Sequence, residues 1–202
     1  IKQNMANRNT LMNIIAETEY THTAFATWGF DEQEDYTTNL YPVASPLLSK
    51  VHNKHNFHNK KIILVGTKML FLALRFDSAP QINQWIAYRK AKAQCIKSLS
   101  AEVKKYLVYR PYFNDKYGLR DSQYFTNLFP DLELLTGDSN YFHRSILNCG
   151  LLILDHPGTT LNYALAANIP TICLWQKDWF PFSRQSEPYF QQLEDAGVLF
   201  RN

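Results

Sequence analysis

Glycine is scarce in this chain, with 7 in 202 residues. Turns that need a positive φ default to glycine, so a loop-rich or repeat architecture is hard to build without it. Cysteine is scarce too: Cys95, Cys149 and Cys173 are odd in number and widely spaced. That argues against a disulfide framework and for reduced, structural thiols in a reducing compartment. No secretory signal is visible, and no apolar run reaches the roughly 18–20 residues that span a bilayer. The longest candidate, "IILVGTKMLFLALRF", is interrupted by Gly66, Thr67 and Lys68. A large charge of one sign is also missing. The formal net charge of +3 is too small to imply nucleic acid, but it permits a local basic pocket for an anion. No phosphate-binding P-loop, GxGxxG, CxxC or nucleophile elbow occurs, so kinase, redox and serine hydrolase chemistry have no anchor.

What is present is ordinary for a packed globular protein: 46% hydrophobic, 19% charged and 14% aromatic residues, including 12 Tyr and 13 Phe. The length suits one domain or two small ones. The chain starts on Ile1 and runs at once into polar sequence, as a portion of a longer protein would.

Leu11, Ile14 and Ile15 suit an amphipathic helix capped near Asn9 or Thr10. "HTAFATWGF" reads as a short strand ending at Gly29, and "DEQED" (31–35) as a solvated acidic loop. "LYPVASPLLSKV" reads as an extended piece followed by a short helix. "HNKHNFHNKK" (52–61) is a polar linker. Its His52, His55 and His58 would fan around a helix, so no metal site is expected there. A strand follows at 61–67. Pro80 can start a long helix over 80–103, with Ile82, Trp85, Ile86, Arg89, Ala93 and Ile96 on one face. "KYLVYRPY" is the next strand, and a long, partly helical connection follows it. "SNYFHRSILNCG" reads as a helix ended by Gly150. Then come strand "LLILD", helix "TTLNYALAAN", strand "PTICLW", helix "SEPYFQQLEDAG" and a last strand "VLF".

From residue 61 onward strands and helices alternate, and several strands are near-continuous apolar runs. That pattern predicts an α/β fold, a Rossmann-like parallel sheet with helices on both faces. The expected organisation is a lead-in segment, 1–60, packing on a main domain, 61–202. Ligands of such sheets sit at the carboxyl ends of the strands. The turn "DHPGTT" (155–160) lies there and opens straight into a helix. Gly158 lets a ligand approach the backbone, Thr159 and Thr160 offer hydroxyls and N-caps, and the helix start supplies unpaired N–H groups and partial positive charge. The turn is therefore either a phosphate cradle or simply a capped helix start. Arg110, past "YLVY", and Arg184 could fork onto phosphate, with Glu187 for ribose hydroxyls; the alternatives are surface ion pairs. His156 is the one histidine at this edge.

Several stretches together resemble a known family: "TWGF", "YPVASPLL", "IILVGT", "LVYRPY", "DHPGTT", "ANIPTICLW" and "RQSEPYF". Over roughly residues 27–200 the chain resembles the C-terminal half of bacterial surface-carbohydrate transferases, GT-B-type glycosyltransferases of O-antigen and capsule pathways. The resemblance implies a domain of the GT-B C-terminal type that binds a nucleotide-sugar donor, used as substrate with no separate cofactor. Donor contacts would carry over to Thr67, Arg110, His156, Gly158, Thr159, Thr160, Arg184 and Glu187, with no metal and no catalytic residue assigned. It further implies a glycan acceptor, an acceptor domain upstream or on a partner chain, and no nucleic acid. The location implied is cytoplasmic, at the inner face of the membrane, with peripheral contact and no transmembrane segment.

The sequence departs from the family at Tyr163, where "TTxxEALA" would carry a glutamate that holds the donor ribose. The expected activity is transfer of a sugar onto a growing surface glycan. A nucleotide-sugar epimerase of the same architecture, a non-catalytic nucleotide-sugar-binding subunit and a plain α/β domain are the alternatives.

Overall fold

A computed structural model describes residues 24–27, 29, 39–67, 84–112, 120–176, 182, 184 and 186–201. The helix expected near residue 9, the acidic loop 31–35, the Pro80 helix start with Ile82, and most of the loop after "TICLW" lie outside the described residues.

Two short strands, β1 (Ala24–Thr27) and β2 (Asn39–Pro42), pair in parallel as a separate ribbon. Helix α1 (Pro46–Val51) follows, with Ser45 as its cap: the Leu48 N–H donates to Ser45 Oγ over 3.4 Å. The main sheet then begins with β3 (Ile62–Val65). After it come α2 (Trp85–Ser98), α3 (Ala101–Lys104), β4 (Leu107–Arg110), α4 (Asp121–Leu128), β5 (Glu133–Leu134), α5 (Ser139–Leu147) and β6 (Leu151–Leu154). The chain closes with α6 (Thr159–Ala167), β7 (Thr171–Trp175), α7 (Glu187–Asp195) and β8 (Leu199–Arg201).

The six strands β3 to β8 form one parallel sheet in the order β5-β4-β3-β6-β7-β8. The chain builds outward from β3 to β4 and β5, then returns to the other side of β3 for β6, β7 and β8. That is the Rossmann order, and the strand direction of growth reverses between β3 and β6. Side chains alternate across the sheet. Ile63, Val108, Leu152 and Leu154 face a core shared with α1, α5, α6 and α7, while Leu64, Tyr109 and Ile153 face α2 and α4. Leu152 and Leu154 are fully buried, so a Leu152→Ala or Leu154→Ala truncation costs on the order of 2–5 kcal/mol.

Several boundaries differ from the sequence reading. The helix expected over 80–103 is two helices. Leu99 is extended, with ψ 142, and Ser100 caps a fresh turn by accepting from the Val103 N–H over 3.4 Å. Ile86 points to solvent at 71% exposure; the buried face is Trp85, Tyr88, Lys92, Ala93 and Ile96. Helix α5 stops at Leu147, not Gly150. Gly150 instead enters β6, its N–H donating to Lys61 O over 2.8 Å, and a Cβ there would meet Asn59 O at 3.1 Å. The short strand β5 was not expected. The 52–61 stretch is docked rather than a free solvated linker. Its Asn53, His55 and Asn56 N–H groups donate to Ala166, Ala167 and Leu147 carbonyls, and His55 Nε2 lies 2.9 Å from Cys149 O.

All three cysteines are free. Burial pushes the Cys149 thiol up to about 11 and raises Cys173 further, so both stay protonated and unreactive.

Candidate functional site

The loops after β3 and β6 leave the sheet side by side at the carboxyl edge. Val65 is in register with Leu154 on one side and Arg110 on the other. Gly66 follows, its N–H donating to Arg110 O over 2.9 Å. A side chain has no room there: a Cβ would sit 2.2 Å from Tyr109 Oη. The Thr67 N–H then crosses to Asp155 Oδ2 over 3.1 Å. This bond joins the two exits at the point where the strand order reverses.

The "DHPG" turn is built by its own backbone. The Gly158 N–H donates to His156 O over 2.9 Å across Pro157. Gly158 is the cap residue of α6, in extended conformation with φ −96 and ψ −159, and as a glycine it supplies no side-chain cap. The expected capping role of Thr159 and Thr160 is therefore not seen: both lie inside the first turn, Thr159 exposed and Thr160 half-buried. Asn168 ends the helix in the left-handed region at φ 61, and the Ile169 N–H closes the turn on Ala164 O over 2.9 Å. His156 is half-buried, its ring edge-on to Trp175 at 5.3 Å. Burial lowers its pKa, with Asp155 opposing, so at neutral pH it is an uncharged imidazole.

The other expected residues are placed differently. Arg110 is buried at 6% exposure, and its guanidinium turns to the loop after β5. Nη1 donates to Leu135 O and Nη2 to Gly137 O, each over 2.9 Å, and the group lies 5.4 Å from the Phe142 ring centroid. Gly137 reaches this conformation with φ 126, which a side chain would resist. Arg184 is exposed. Glu187 opens α7 and pairs with Arg201, which also bonds Glu194 at 2.6 Å. Tyr163 is buried at 3% and stacks on His143 at 4.7 Å.

Beneath the edge lies a charged cluster that the sequence reading missed. Lys92 of α2 is 5% exposed, with Nζ 2.9 Å from Asp121 Oδ2 and 3.3 Å from Asp155 Oδ2. It also donates to Tyr109 Oη over 3.2 Å. Tyr109 Oη donates to Asp121 Oδ2, and Arg89 Nε to Asp121 Oδ1 over 2.9 Å. Tyr88 Oη donates to Asp155 O over 3.2 Å, and its pKa is raised well above the usual value by burial and then by the Asp155 charge. One signal was legible: a lysine at helical spacing between Tyr88 and Ile96, on the face with Trp85.

A family model described as "LIC12162 family transferase" matches residues 7–202. No curated protein matches the chain. Among the described residues no helix is long and apolar enough to cross a membrane.

Proposed function

We propose a donor-binding role for this chain, which belongs to the LIC12162 family of transferases: its carboxyl edge takes the diphosphate of a nucleotide-activated sugar. The observation that carries this reading is the start of α6. It opens on a glycine with no side-chain cap, at the reversal of strand order beside Thr67. Partial positive charge and N–H groups at such a start favour an anion.

In this reading the Thr159 and Thr160 N–H groups at the start of α6, with their hydroxyls, receive the phosphates, while the Leu161 N–H is given to Gly158 O over 2.9 Å. Thr67 offers its hydroxyl, since its N–H is used by Asp155. His156 donates or accepts as a neutral ring. Arg184 reaches the phosphates from its exposed position, and Glu187 offers its second carboxylate oxygen to ribose while Arg201 holds the first. Arg110 acts through the loop it holds. As the bond to the sugar breaks, negative charge grows on the leaving phosphate, where a preorganised helix start stabilises it. The sugar is transferred to a surface glycan acceptor at the cytoplasmic face of the membrane, with the acceptor held by a further domain or partner. A second reading, nucleotide binding without transfer, is favoured by one observation: Tyr163 is packed against His143 where the resemblance calls for a ribose-binding glutamate.

A thermal-shift screen against CMP, CDP, UDP, GDP, dTDP and AMP tests the proposal. A ligand at ~100 times its dissociation constant adds about 2.7 kcal/mol, a rise of roughly 5–10 °C for a chain of this size. The proposal expects one base to give that rise and Gly158→Val to abolish it with the unliganded melt retained. No rise with any of the six would overturn it.

A further inference from the structure

We infer that Lys92 is the buried counter-charge that lets the carboxyl edge accept an anion, by neutralising Asp155 directly beneath the start of α6. The inference rests on the donor-binding reading and deepens it.

The difficulty it resolves is electrostatic. Asp155 sits three residues before the cap of α6 and is 6% exposed. Three residues of chain span at most roughly 10–11 Å. A buried carboxylate at that range repels a phosphate brought to the helix start, and burial weakens the screening that solvent would provide. Lys92 Nζ lies 3.3 Å from Asp155 Oδ2 and removes that charge. The same oxygen receives the Thr67 N–H, so the carboxylate keeps its structural bond while its charge is balanced.

Among the described residues the groups facing this point are few. Helix α2 brings Tyr88, Arg89 and Lys92; β4 brings Tyr109; α4 brings Asp121; the turn after β6 brings Asp155 and His156; β7 brings Cys173, whose thiol feels the Asp155 charge. Two cations, Arg89 and Lys92, stand against two carboxylates, Asp121 and Asp155. Asp121 is paired with Arg89 as well as Lys92, whereas the Asp155 carboxylate has Lys92 as its cation. A lysine carried inside an apolar helix face is costly, and its position under the edge gives that cost a use.

The test measures affinity for whichever of CDP, UDP, GDP and dTDP binds the wild-type chain, at pH 8.5, in wild type, Lys92→Met, Asp155→Asn and the double variant. Each value is taken relative to wild type at the same pH. Lys92→Met is expected to weaken binding at least tenfold at pH 8.5. The double variant, which removes both charges, should return to within about threefold of wild type. Circular dichroism and melts establish that each variant is folded. If Lys92→Met does not fold, Asp155→Asn decides: it leaves a net positive floor and should bind at least as tightly as wild type. The inference is overturned by a folded Lys92→Met that binds like wild type, by a folded double variant that stays weak, or by tenfold weaker binding in Asp155→Asn. Failure of the wild-type chain to bind any of these nucleotides removes the donor-binding reading, and the inference with it.

Discussion

The Thr67 N–H donates to Asp155 Oδ2 over 3.1 Å, and with this bond the loop after β3 and the turn after β6 become one unit. The same Asp155 oxygen lies 3.3 Å from Lys92 Nζ, so the unit is anchored to α2 on one face of the sheet. On the other face Arg110 ties the end of β4 to the Leu135 and Gly137 carbonyls. The carboxyl edge is therefore held from both layers, which is what a site needs if its groups must be aligned before a ligand arrives.

Arg110→Ala strips the buried Leu135 carbonyl and the part-buried Gly137 carbonyl of a charged donor. Hydrogen bonds to charged groups are worth about 1.5–3 kcal/mol each, and the side chain also covers Phe142. A loss of about 2–4 kcal/mol is expected, seen as a melting point lower by roughly 5–15 °C. Arg110→Lys should recover less than half of it, because one ammonium cannot reproduce the fork onto both carbonyls.

Gly66→Ala places a methyl 2.2 Å from Tyr109 Oη. Tyr109 is fully buried and its hydroxyl is bonded to Lys92 and Asp121, so the ring cannot step aside freely. Overpacking of this kind costs about 1–3 kcal/mol. Chemical denaturation should show that loss, and Tyr109→Phe in the Gly66→Ala background should cost less than Tyr109→Phe alone, since it removes the atom that clashes.

Gly158→Asp separates stability from binding. The φ of −96 and ψ of −159 suit any residue, and aspartate is a favoured helix cap. The unliganded chain is expected to remain folded by circular dichroism, while affinity for a nucleoside diphosphate falls more than tenfold, because a carboxylate at the start of α6 repels the phosphate. Equal affinity in the two proteins would place the anion elsewhere.

The protein should lose stability in mild acid through His156 and His143. Burial lowers both pKa values below the usual 6.5. The unfolded chain protonates near 6.5 while the folded chain does not, so the contribution is full above that pH and falls as pH drops through it, levelling once the folded pKa is passed. Melts between pH 5 and 8 should show a shallower acid loss for His156→Gln than for wild type.

Much of the fold was legible because its signals are local. Runs such as "IILV" and "TICLW" are apolar on both faces, and "PGTT" marks a helix start, so parallel alternation could be read directly. Gly150 misled because the signal for a helix end was real but three residues late, the glycine being needed where the chain passes Asn59 into β6. The break at Leu99 and Ser100 hid inside a pattern that looked continuous. At the site, the turn 155–160 was legible and the fate of Arg110 was not: its partners are the carbonyls of Leu135 and Gly137, and no sequence pattern announces a carbonyl. Asp155 and Lys92 lie 63 positions apart in the sequence, and their meeting follows from the pairing of β3 with β6. Only the lysine within the apolar face of α2 betrayed it.

The most direct test is an amide chemical-shift titration of the isotope-labelled chain with the nucleoside diphosphate that shifts its melt. The largest perturbations are expected at Gly158, Thr159, Thr160 and Leu161, with Thr67 moving in step, and Gly158→Asp should abolish them. Saturating shifts confined to other parts of the chain, with the start of α6 unmoved, would contradict a phosphate site at the reversal between β3 and β6.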